Sequence, residues 1–384
     1  MELKGITLIY GQPGTGKTTF AAMVASRRLM NGESVFWVSF YEDRETLVNN
    51  MLKVGYDLGR ANVWDAVLTD AESVFNYIVA QTSENAPSML VIDSISQLQG
   101  LDRTHLTNVV YRALRPTGTD IVLIAEEEAA VPLNYIADNI IHLIRRTSEK
   151  GTSLRYADFE KIRGRPAGYI KVFDILEGEG IVFFDDISPS WRREGTQINT
   201  NISCIDKMLG GLAGGMANVF LAPPSSYFLR FLAVLASNLS KQGYRVFLAA
   251  RTVDPARFSS YVEKLGGRIA VRAFETRPQA YWQNLYSLYK AIELARPDVV
   301  IMDWLDADFV VLGRDLALDM FQRIRKLLRE TSVPGIFMAS EDRGVSIFAD
   351  NVVALSEEGG EIVANSLKAL TFESTIATCK FRLQ

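Results

Sequence analysis

The sequence of 384 residues is poor in the residues that staple small domains or ligate metals: it has two cysteines and two histidines. Cys204 and Cys379 stand far apart in no CxxC or metal-ligand spacing, which fits a reducing cytoplasm. His105, on a polar helix surface, and His142, within a strand, have no second ligand at metal spacing and are assigned surface and packing roles. No apolar stretch reaches the ~18 residues that a membrane span needs. The opening MELKGITLIYGQPG lacks a basic region and a cleavage site, so a soluble, cytoplasmic chain is expected, with no membrane partner. Positive charge is not in excess either. With 41 Lys and Arg against 45 Asp and Glu, the net charge is −4, which gives no support to a broad nucleic-acid surface and leaves room for local basic patches. One such cluster, FQRIRKLLRE, has Phe321, Ile324, Leu327 and Leu328 at helical spacing and reads as a solvated helix face over a core.

What is present is an ordinary globular composition, 48% hydrophobic and 22% charged, long enough for two or three domains. The halves repeat each other. ESVFWVSFYEDRETL matches YRVFLAARTVDPARF, MLVIDSISQL matches VVIMDWLDAD, and ADNIIHL matches ADNVVAL. Val35 then aligns with Val246, Asp93 with Asp303 and Asp138 with Asp350, a spacing of 210 to 212 residues. Each copy alternates short Val/Ile-rich runs with amphipathic segments, the pattern of an α/β fold with a largely parallel sheet. Strands are expected near Ile6–Tyr10, Val35–Phe40, Met89–Asp93 and Ile121–Ala125. Helices are expected near Lys17–Met30, Arg44–Val54, Asp70–Gln81 and Thr104–Leu114. Antiparallel hairpins over Asn139–Arg146, Leu154–Arg163, Tyr169–Leu176 and Gly180–Phe184 end the first copy. The polar stretch from Asp185 to Thr200 reads as the boundary, giving domains over 1–187 and 200–384 with a linker over 188–199.

The first copy carries a phosphate-binding loop. Gly11, Gly16, Lys17 and Thr18 satisfy G-x-x-x-x-G-K-[ST] between an expected strand and an expected helix. Glycines let backbone N–H groups turn inward around a phosphate, and the helix N-terminus adds a favourable dipole. Gly11, Pro13, Gly14, Thr15, Gly16, Lys17, Thr18 and Thr19 are therefore the expected ATP-binding residues, with Lys17 neutralising the β- and γ-phosphates and the Thr18 hydroxyl on magnesium. Asp93 ends an apolar strand where parallel sheets bind ligands, and is placed to hold that magnesium through water. Glu42, just past the next strand, is the candidate base for an attacking water, although YEDRET also reads as a solvated loop with Asp43 capping a helix. Lys161 and Arg163, two apart on an expected strand, leave one face and could meet a neighbour's γ-phosphate or simply form an exposed basic edge.

In the second copy these features fail together. A spacing of 211 puts Phe228 at Lys17, Leu229 at Thr18, and Ser225 and Tyr227 at Gly14 and Gly16; Val253 replaces Glu42, and LKALTFEST has no Lys-x-Arg pair. Of the ligand set only Asp303 is expected to survive, so nucleotide binding by this copy should be weakened by roughly 10² to 10⁴.

With these residues in place, the chain resembles the KaiC/RadA-like branch of the RecA-superfamily P-loop ATPases, and tandem KaiC-type proteins in particular. GQPGTGKTTF, SFYEDRETLVNNMLKVGYDL, VIDS and KIRGRP resemble that family's Walker A, post-strand acidic, Walker B and Lys-x-Arg segments. INTNISCIDKMLGGLAGGMANVFLAPP resembles its lead-in, which is barely present before the first copy. The resemblance implies two tandem RecA-like domains, Mg-ATP at subunit interfaces, slow hydrolysis, a homo-oligomeric ring of hexamer type or a filament, and Lys161 and Arg163 acting in trans. The degenerate domain is expected to serve assembly or the docking of a protein partner. The family shows two adjacent glutamates where this sequence has Tyr41 then Glu42. A nucleotide-gated scaffold with little hydrolysis is thus the alternative, and a RadA-like recombination factor is the weaker one, because no basic, aromatic-bearing loop follows either Walker B segment.

Overall fold

Val35–Ser39 and Met89–Asp93 are buried at every position, as strands covered on both faces must be, and this is why they read as continuous apolar runs. The computed structural model describes residues 3–66, 71–97, 108–130, 133–195, 197–370 and 376–383. The chain divides into two compact units, one of residues 1–148 and 153–187, the other of 149–152 and 188–384.

In the first unit the strands are β1 (Ile6–Tyr10), β2 (Val35–Ser39), β3 (Asn62–Asp65), β4 (Met89–Asp93), β5 (Asp120–Ala125), β6 (Asn139–Thr147), β7 (Ser153–Ile162), β8 (Tyr169–Leu176) and β9 (Gly180–Phe183). They form one sheet in the order β3-β2-β4-β5-β1-β6-β7-β8-β9, parallel as far as β6 and antiparallel beyond it. Alternation splits the core in two. Ile9, Val35, Trp37, Val91 and Ile124 pack with helix Lys17–Met30 on one face, while Ile6, Leu8, Phe36, Val38, Leu90 and Leu123 pack on the other with Phe75 and Ile78 of helix Ala71–Asn85. Helix Arg44–Val54 is capped by Asp43, whose carboxylate accepts the Thr46 N–H at 2.8 Å. Of the helix expected over Thr104–Leu114, the described part is Val109–Leu114, wound as a π-helix; His105 lies outside the described residues.

The second unit repeats this plan. After the short pair β10 (Gln197–Ile198) and β11 (Leu212–Ala213) come β12 (Ala217–Leu221), β13 (Val246–Ala250), β14 (Ala270–Ala273), β15 (Val299–Met302), β16 (Gly335–Ala339), β17 (Asn351–Glu358), β18 (Glu361–Ala369) and β19 (Thr378–Phe381). Their order, β14-β13-β15-β16-β12-β17-β18-β19, repeats that of the first sheet from β3 to β8, and β9 has no counterpart among the described residues. The polar device at the foot of the central strand is also repeated. Asp138 accepts the Ile6 N–H at 3.0 Å and Asn139 donates to Thr7 at 3.0 Å; Asp350 accepts the Ala217 N–H at 2.9 Å and Asn351 donates to Asn218 at 2.7 Å.

Three sequence expectations change. Cys204 and Cys379 are brought together, their Cα atoms 5.8 Å apart, in a disulfide joining helix Ser203–Leu209 to β19. Their separation in sequence hid this, because only the closing of β19 onto the sheet makes them neighbours. Secondly, β10 lies inside the stretch read as linker. Thirdly, the basic cluster on helix Arg314–Thr331 is not wholly solvated. Its apolar stripe is buried as expected, but Arg325 and Arg329 both donate to Asp350 at 2.9 Å.

Candidate functional site

The loop from Gly11 to Gly16 leaves the carboxyl end of β1, the central strand, and enters helix Lys17–Met30. Glycine is required at both ends of it. A Cβ on Gly11 would fall 2.1 Å from the Leu143 carbonyl oxygen, and one on Gly16, at φ 102°, would fall 2.8 Å from Ile175 Cδ1. No side chain caps this helix at Gly16, so its first N–H groups are left for an anion, and the residues present fit a nucleotide phosphate. Thr15 is buried and its hydroxyl donates back to the Gln12 carbonyl at 2.9 Å, which holds the loop closed on itself.

Lys17 is only 8% exposed. Its ammonium donates to the Gly11 and Gln12 carbonyls at 2.7 and 3.0 Å and pairs with Glu126 Oε1 at 3.1 Å. The Thr18 side chain lies beside the Asp93 carboxyl. Burial pushes the Asp93 carboxyl up to about 6; the Thr18 hydroxyl and the Lys17 ammonium pull it down, and the carboxylates of Glu42 and Glu126 add to the rise. One lysine thus faces three acids, a surplus of negative charge that a divalent cation would neutralise. Thr18 and Asp93 are the residues that fit magnesium.

The structure also brings Glu42 to this group. Its backbone is fixed by Ser39, whose hydroxyl donates to the Glu42 carbonyl at 2.5 Å, and Asn50 lies 3.5 Å from Oε1. Its Oε2 is buried with no hydrogen-bond partner among the described residues. That oxygen keeps its lone pairs free to accept a hydrogen bond from a bound water. Glu126 was not singled out from the sequence. It follows β5, and only the pairing of β5 beside β1 puts it at the loop.

Lys161 and Arg163 are not brought to this loop. Lys161 donates to the Ala137 carbonyl at 2.6 Å, and Arg163, just past the end of β7, pairs with Asp138. Both lie at the amino end of the parallel strands, roughly 15 Å of strand from Gly11, so they do not reach a phosphate held by this loop. The second unit clarifies the lysine. Lys368, paired in register with Val352 as Lys161 is with Ile140, donates to the Ala349 carbonyl at 2.6 Å. So the second copy keeps the lysine, contrary to the reading that only Asp303 survives, and lacks the arginine, whose place Leu370 takes. A bond preserved where the phosphate loop is lost is structural, which leaves Arg163 the freer cation, its side chain 67% exposed.

The second unit also departs from the simple spacing. Helix Ser226–Lys241 ends in step with helix Lys17–Met30 but starts two residues earlier, so Tyr227 lies within it and not in a loop. Ser225 caps the helix by accepting the Phe228 N–H, Phe228 is buried, and the Trp304 indole donates to the Ala222 carbonyl at 3.1 Å. Helix and indole fill the former phosphate loop. Asp303 is no free ligand either: its carboxylate accepts the N–H groups of Arg251, Thr252 and Val253 and the Thr252 hydroxyl.

Among the described residues no cluster of His, Cys, Asp and Glu has metal-binding geometry, and no helix is long and apolar enough to cross a membrane. His142 stacks on Tyr10 at 4.3 Å and lies 3.2 Å from Glu127, a packing role. Residues 2–188 match the family described as "ATPase: KaiC". Protein GvpD2 of Halobacterium salinarum is 25% identical over an alignment covering 45% of this chain; the chain spans 40% of that relative's length. With an intact phosphate loop at the head of a RecA-like sheet, residues 2–188 of this chain are a KaiC-type ATPase domain of the RecA superfamily.

Proposed function

We propose that the first unit binds Mg-ATP between subunits of a homo-oligomeric ring and hydrolyses it slowly, and that the second serves assembly or partner docking in a regulatory role. The observation that carries hydrolysis is the unpartnered Glu42 Oε2 beside Asp93 and Thr18. In this reading the N–H groups from Gly14 to Thr19 surround the phosphates. Lys17 exchanges Glu126 and the loop carbonyls for phosphate oxygens, and Thr18 and Asp93 would hold magnesium. The metal supplies charge neutralisation on the transferring phosphoryl group. Glu42 accepts the proton of the attacking water. Arg163 of a neighbouring subunit meets the charge that develops on the γ-phosphate, after exchanging its Asp138 partner; Lys161 holds the strand that presents it. Two features support assignment of the second unit to assembly: its helix fills the phosphate loop, and Asp303 is consumed by backbone N–H groups.

The test is the initial rate of Mg-ATP hydrolysis per protomer against protein concentration. A rate that climbs and saturates is expected, and the Glu42→Gln variant should lose most of it while still binding ATP. Unchanged turnover in that variant would remove Glu42 from the mechanism. Tight ATP binding with a rate near zero at every concentration would favour the nucleotide-gated scaffold, the reading to which the exposed Tyr41 in place of a second glutamate points.

A further inference from the structure

The second unit has exchanged its phosphate loop for a different kind of cavity. A cleft of about 830 Å³ opens at the carboxyl ends of β12, β13 and β15, within the size range of small-molecule sites. Its walls are aromatic, formed by Tyr227, Phe258, Tyr261 and Trp304, and its two cations are Arg230 and Arg257. Helices Ser226–Lys241 and Pro255–Lys264 both begin at this cleft; the first, capped by the neutral Ser225, adds positive potential to the two guanidiniums, and the second is offset by its Asp254 cap.

Neither arginine of the cleft has an ion-pair or hydrogen-bond partner for its guanidinium among the described residues, whereas Arg193, Arg245, Arg251, Arg325 and Arg329 all form ion pairs. The one carboxylate on the wall, Asp254, is occupied in capping its helix through the Arg257 N–H at 2.8 Å. A triphosphate is a poor match. The loop that would wrap it has become helix, and Asp303 is fully buried and already accepts four hydrogen bonds. What the walls match is a flat apolar body with one anionic group: arginines pair carboxylates and sulfonates in a planar fork, and the aromatic rings take the body.

We propose that this cleft binds a small organic anion, a carboxylate or sulfonate on an aromatic or otherwise flat apolar body. The site is independent of the ATPase reading, since no residue of the first unit takes part.

Two fluorescent probes of nearly equal shape test it on the full chain in saturating Mg-ATP: anilinonaphthalene sulfonate, which is anionic, and N-phenylnaphthylamine, which is neutral. The anionic probe should bind one saturable site per chain, and R230Q/R257Q should weaken it at least about tenfold while leaving the neutral probe within about twofold. Retained binding of the neutral probe also shows that the variant keeps its fold. An anionic probe that does not saturate, or binds the double variant as tightly as the parent, overturns the proposal. So does equal loss of both probes, because the arginines would then shape the cleft and not read the charge. Displacement of the probe by ADP beyond the amount that fills the first unit would assign the cleft to nucleotides and overturn it as well.

Discussion

Glu126 sets how tightly the loop holds its own lysine. Lys17 can serve a nucleotide only after leaving Glu126 Oε1, 3.1 Å away, and Glu126 also places a negative charge where the phosphates arrive. In the Glu126→Gln variant both costs fall. The pair is unequal in exposure, Lys17 8% and Glu126 35%, so it lies between a surface ion pair worth under about 1 kcal/mol and a buried one. The amide still accepts a hydrogen bond from the ammonium, and the Gly11 and Gln12 carbonyls remain, so only the charged part of the interaction is removed. We take that part as about 1 to 2 kcal/mol, which corresponds to roughly five- to thirtyfold tighter binding. Titration of a fluorescent ADP analogue without magnesium isolates the effect, because no metal then bridges the acids. Glu127→Gln is the control: it changes the same net charge one residue away, beside His142 and not Lys17. Affinity of Glu126→Gln equal to or weaker than that of the parent would refute the argument. It would mean that Glu126 contributes to nucleotide binding and does not compete with it.

Arg163→Ala and Lys17→Ala should each abolish most hydrolysis. An equal mixture of the two should recover up to about a quarter of the parental rate, because one interface in four then joins an intact loop to an intact arginine; no recovery refutes action in trans. Asp350 is held below the usual carboxylate range: burial pushes it up, but Arg325, the Ala217 N–H and Arg329 outweigh this. A depressed folded pKa gives stability that is present above the unfolded value near 4 and lost as pH falls through the folded one, so Asp350→Asn should flatten the acid limb of Tm against pH. An unflattened limb would show that Asp350 is not a source of that stability. Without reductant the unfolded chain should titrate no free thiol, and Cys204→Ser should lower stability by about 2 to 4 kcal/mol; two free thiols in the untreated chain would remove the cross-link.

The sheet strands and the phosphate loop were legible because their signals are local. An apolar run bounded by turns means a buried strand, and G-x-x-x-x-G-K-T between strand and helix means a phosphate cradle wherever it falls. The repeat was legible for the same reason, since Asp93 and Asp303 end matching strands. Less legible was what each surviving residue does. Asp303 keeps its position but gives both oxygens to the 251–253 backbone, and Lys368 keeps its bond to a carbonyl under a motif that no longer reads Lys-x-Arg.

The sequence by itself determined the fold class, the order of the elements and the loop that cradles phosphate, because periodicity and backbone requirements are written within a few adjacent residues. Tertiary structure alone decided which distant residues meet. It put Glu126 on Lys17 by pairing β5 with β1, Cys204 beside Cys379 by closing β19 onto the sheet, and four aromatic rings with two arginines where a phosphate loop had been. Those contacts depend on strand order and register, and no spacing along the chain encodes either.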